Sequence, residues 1–149
     1  MSKNFPRRHL FWILPIAVVA IGSIALGARM MAPPPSDLDL ALSKSTDHGL
    51  YIAELEADQS PVPVGKLHTW TVKISTPDGK PAQTAAIGID GGMPQHGHGL
   101  PTRPEVTTDL GGGAHLIEGM KFNMDGWWTL TVSIDGSAGS DTATFNLVL

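Results

Sequence analysis

From His48 to the C-terminus, apolar residues recur at every second position, the period of strands with one buried face. Tyr51, Ala53, Leu55 and Ala57 alternate with Ile52, Glu54 and Glu56. His68, Trp70, Val72 and Ile74 alternate with Thr69, Thr71 and Lys73, and Ile87 and Ile89 mark a shorter strand. Leu116, Met120, Phe122 and Met124 share one parity, across a strand that Gly119 can interrupt. Trp128, Leu130, Val132 and Ile134 give the cleanest alternation, and Ala143, Phe145, Leu147 and Leu149 close the chain.

Turn chemistry separates these runs. Thr76-Pro77-Asp78-Gly79, Gly111-Gly112-Gly113 and Asp135-Gly136 each combine residues that reverse the chain. Six or seven short strands with no helical period among them predict an all-β domain, an immunoglobulin-like β-sandwich. A small barrel is the alternative. Trp70 is the natural core tryptophan of such a sandwich.

The N-terminal pattern is of another kind. Leu10 to Ala28 is a 19-residue run without charge, preceded by Lys3, Arg7 and Arg8. About 20 apolar residues span a bilayer as a helix, and basic residues before the span stay cytoplasmic. The pattern predicts a cytoplasmic tail over 1–9 and one transmembrane helix over 10–28. A Pro-rich spacer over 29–47 follows, then an exported domain over 48–149. A cleaved signal peptide is the alternative, since Ala25-Leu26-Gly27 has small residues at a cleavage spacing. Pro33-Pro34-Pro35 favours a stiff, extended exit. The expected location is an inner or plasma membrane, with the C-terminal domain in the periplasm or outside the cell.

Charge and cysteine content narrow the function. Residues 29–149 carry seven Lys and Arg against fourteen Asp and Glu, a net charge of −7. Nucleic-acid binding calls for a basic face, so it is not expected here. The chain has no cysteine. That removes a thiol nucleophile, a dithiol redox pair, an iron–sulfur cluster and a blue-copper centre. No His-Glu-x-x-His, no Gly-x-Ser-x-Gly and no phosphate-cradling loop is present. The expectation is a protein that is not an enzyme.

Candidate chemistry lies in two stretches, Gly91 to Pro101 and Gly119 to Trp128. In extended chain His96 and His98 point to one side, so both imidazoles can reach one ion. Met93 precedes them, and Met120 and Met124 share a face further on. Imidazole binds copper in either oxidation state and thioether favours Cu(I), so the expected cofactor is copper, with His96, His98, Met93, Met120 and Met124 as candidate ligands. Each residue also has an ordinary reading: loop histidines are often incidental, and methionines in register with Leu116 and Phe122 are often core. Trp127 and Trp128 read as one edge and one core residue. His68 and His115 read as packing residues.

Met93-Pro94-x-His96-x-His98-Gly99, followed by Gly119-Met120-x-Phe122-x-Met124-x-Gly126-x-Trp128, resembles the YtkA-like domain, which is grouped with FixH-like proteins. Pro63-Val64-Gly65 and Asp78-Gly79-Lys80-Pro81 fit the same pattern, and the resemblance runs over about residues 48–149. It implies a small exported domain, membrane-anchored or a lipoprotein, with an immunoglobulin-like sandwich. FixH-like members are implied in assembly of copper-containing terminal oxidases beside a cation-pumping ATPase; the spacer and loop here depart from their pattern. Two functions follow as expectations. One is an accessory domain that binds or handles copper, with a membrane protein complex or a copper-handling protein as partner. The other is a non-enzymatic interaction module that braces a membrane complex such as a respiratory oxidase assembly.

Overall fold

The computed structural model describes residues 33–149. The expected tail (1–9) and membrane span (10–28) lie outside the described residues. Among the described residues no helix is long and apolar enough to cross a membrane. Nine strands follow in order: β1 (Ser43–Ser45), β2 (Ile52–Ala57), β3 (His68–Ser75), β4 (Thr84–Met93), β5 (His98–Gly99), β6 (Glu105–Gly111), β7 (Ala114–Met120), β8 (Trp127–Gly136) and β9 (Gly139–Val148).

Antiparallel pairing arranges them as β1-β2-β3-β7-β6 and β5-β4-β8-β9, joined by a single residue pair, Gly88 with Glu105. The order β2-β3-β7-β6 against β4-β8-β9 is the strand order of an immunoglobulin constant-type sandwich. The expected fold class is thus found in its topology as well as its strand content. The inward positions are those the alternation predicts: Trp70, Val72 and Ile74 of β3, Leu130, Val132 and Ile134 of β8, and Ala143, Phe145 and Leu147 of β9 are buried. Antibody domains pin their two sheets with a disulfide. This cysteine-free chain uses rings in the same region. Phe122 meets Trp70 edge-on at 6.4 Å and Trp128 edge-on at 5.2 Å, an arrangement that adds to their area burial.

Four features differ from the sequence reading, each for a local reason. Ser43–Ser45, assigned there to the spacer, pairs with β2 as β1, and Thr46 is buried. Strand β6 was not expected, because all its residues except Val106 are exposed and no alternation marks it. The Asp135-Gly136 turn is displaced: Gly136 pairs with Gly139 inside the ladder, and Ser137-Ala138 make the two-residue reversal. On β7 the shared parity of Leu116, Met120, Phe122 and Met124 breaks. A bulge sets Glu118 and Gly119 opposite the single residue Thr69, with Gly119 at φ 79°. The extra residue flips the parity, so Ile117 is buried ahead of it and Met120 after it. Met124 lies beyond the strand, in the bend before β8.

Candidate metal centre

The strand that carries Met93 at its end runs straight into a tight hairpin. His96 and Gly97 both donate backbone N–H bonds to Met93 O, at 3.1 and 2.9 Å. Gly97 makes the reversal at φ 68°, a conformation that costs glycine little. The chain returns as β5, with Met93 opposite His98 and Gly92 opposite Gly99. A Cβ on Gly92 would lie 2.5 Å from His98 O, so only glycine lets the two arms approach this closely. His96 therefore stands in a turn, where the sequence reading had it in extended chain. The outcome is nonetheless the expected neighbourhood, with ring centroids of His96 and His98 5.8 Å apart.

Hydrogen bonding sets what His98 offers. Its Nδ1 lies 3.0 Å from Gly99 O. A carbonyl only accepts, so Nδ1 carries the proton and Nε2 presents its lone pair, the arrangement common to metal-binding histidines. His98 is exposed and meets the buried Trp128 ring edge-on at 5.7 Å. Below the hairpin, Met93 is 1% exposed, and its Cε would be 2.9 Å from a Cβ on Gly126. Bonds of about 2.0 Å from imidazole nitrogen to a metal place two ligand rings at most roughly 6 Å apart, centre to centre. The observed 5.8 Å falls inside that limit.

The five candidate ligands do not share one standing. Met93, His96 and His98 belong to one hairpin. Met124 is 38% exposed in the 124–126 bend, and its carbonyl accepts the Trp128 indole N–H at 3.1 Å. Met120 is fully buried and pairs across the ladder with His68, on β3. Among the described residues no group of three or more His, Asp or Glu could hold a metal ion. An ion at the hairpin would therefore have two imidazoles, with thioether or solvent completing the shell.

A second histidine cluster escaped the sequence reading. His48 Nδ1 contacts the carboxylate of Asp141, on β9, at 2.9 Å. The Asp141 side chain is fully buried and also accepts the backbone N–H groups of His48, Leu50 and Thr142. Burial pushes its carboxyl up, but hydrogen bonding from the Thr46 and His48 side chains and from the Thr142 and Leu50 backbone outweighs it and holds Asp141 well below the usual carboxylate range. The bond to Asp141 in turn raises the His48 pKa. A cavity of about 410 Å³ lies beside the pair, lined also by Ser133, Ser140 and Thr142. The partners are 93 residues apart, and nothing local at either position announces the other.

No curated protein and no solved structure matches the chain. The YtkA-like family model matches residues 47–133, which is more than half of the 149 residues and takes in the whole hairpin. With that span matched, the chain belongs to the YtkA-like family.

Proposed function

We propose that this protein is an exported, membrane-anchored accessory domain that binds or handles copper through the β4–β5 hairpin. The observation that carries the reading is the hairpin itself: two imidazoles 5.8 Å apart, with His98 Nε2 left as a lone pair by the bond from Nδ1 to Gly99 O. His96 and His98 are the principal ligands, and Met93 or Met124 supplies the soft thioether that favours Cu(I). The net charge of −7 over residues 29–149 favours approach of a cation. The basic residues before the uncharged run at 10–28 support export. The role is one of binding, and the partner is a membrane protein complex or a copper-handling protein that exchanges the ion.

The test is metal analysis of protein purified after exposure to copper, for the wild type and for His96→Ala/His98→Ala. The folded double variant is expected to retain less copper per chain than the wild type, by the share held at the hairpin. Equal copper in the two would remove the hairpin site. No copper in either would favour the module that braces a membrane complex.

A further inference from the structure

Strand β3 turns four side chains inward, and three of them are Trp70, Val72 and Ile74. The fourth, at the head of the strand, is His68, only 5% exposed. Its Nδ1 lies 3.1 Å from Lys66 O, so Nδ1 donates and Nε2 faces the interior as a lone pair. That Nε2 atom has no hydrogen-bond partner. Buried acceptors are seldom left so, because desolvation goes uncompensated.

Opposite His68 on β7 stands Met120, fully buried. It faces inward there because of the bulge at Glu118 and Gly119; without the extra residue its side chain would point to the other face. Directly paired residues have Cβ atoms about 4.5–5.5 Å apart, close enough for an imidazole and a thioether to share one ion. The rings of Phe122, at 5.5 Å, and Trp70, at 6.5 Å, flank the imidazole. Aromatic faces tolerate a cation in a dry setting. Neither ligand atom carries a negative charge, which suits a monovalent soft ion; a divalent ion would bring a second buried charge with nothing to balance it.

We propose that His68 Nε2 and the Met120 thioether form an interior site for a monovalent soft metal ion, Cu(I) or Ag(I), separate from the hairpin. Met120 thereby leaves the hairpin ligand set and joins His68. The site stands whether or not the hairpin binds copper. Its competitor is a water molecule held between His68 Nε2 and Trp70 Nε1, which is also buried without a partner.

Silver(I), a redox-inert probe, tests it on the full-length protein carrying ¹⁵N-histidine and ¹³C-methyl-methionine. Addition of Ag(I) is expected to shift the His68 Nε2 and Met120 methyl resonances together, in the wild type and in His96→Ala/His98→Ala. Met120→Leu, which keeps the volume, is expected to abolish the His68 response. The proposal is overturned if both resonances stay unmoved in the folded wild type, or if His68 Nε2 shows a water hydrogen bond with and without silver. These wild-type spectra decide the matter even if Met120→Leu does not fold.

Discussion

The hairpin at Met93–Gly99 and the joint where His48 meets β9 lie on the same sheet. Their attachment points on β8, Thr129 and Ile134, are five residues apart. Each presents an exposed histidine whose Nδ1 is bound to an oxygen. At the joint that oxygen belongs to a buried carboxylate, which favours the protonated imidazole and so raises the His48 pKa. At the hairpin it belongs to the Gly99 carbonyl, which fixes a tautomer and leaves Nε2 able to bind. The residue type is the same and the second partner decides the work. One histidine ties chain segments together; the other is free for a ligand.

The two regions share one core, and damage to it should reach both. Leu130, buried on β8 between the two attachment points, is expected to cost roughly 2–5 kcal/mol when replaced by alanine. Denaturant unfolding should show one cooperative transition, displaced as a whole. Loss at one end alone would mean that the ends fold separately.

Next in size is Asp141→Ala. It leaves the amides of His48, Leu50 and Thr142 without their acceptor, and an orphaned buried donor is costly. The Tm should fall clearly, and hydrogen exchange should quicken around residues 46–50 while hairpin amides such as Leu100 keep their protection. Equal loosening of the hairpin would erase the distinction between the regions.

A smaller effect lies in the pH dependence. His48 has its pKa raised from 6.5 on folding, so its contribution is complete below 6.5 and is lost as pH climbs through the raised value. Asp141 has its pKa lowered from 3.8, so its contribution is complete above 3.8 and is lost as pH falls toward the lowered value. The pair therefore stabilises most between about 3.8 and 6.5. Tm measured across pH should decline above that window in the wild type, and His48→Ala should flatten the decline. An unchanged slope in the variant would assign the pH dependence to other groups.

How much of this was legible in the chain differs between the regions for the same physical cause. The alternation at residues 68–74 and 128–134 reports burial directly, because each position answers to the sheet face it occupies. The hairpin was legible as a Gly/Pro loop with two histidines, since every residue that builds it lies between 91 and 100. The turn that actually brings His96 to His98 was not, because parity in extended chain gave the right neighbours for a different reason. Strand β6 gave no alternation since so little of it is buried. The Gly119 bulge set Met120 inward opposite His68, and a bulge is set by the partner strand, which no local pattern displays. The joint at Asp141 was hidden most thoroughly, for its partners meet only after the whole sandwich has closed.

The central claim, that the Nδ1 partner separates a binding histidine from a tying one, is tested by copper titration of His98→Ala beside His48→Ala. Both are exposed positions. A fall in bound copper below the wild-type amount in the folded His98→Ala protein, with the wild-type amount retained in His48→Ala, is the predicted result. Bound copper that stays at the wild-type amount in His98→Ala, or that falls in His48→Ala while the fold persists, would contradict it.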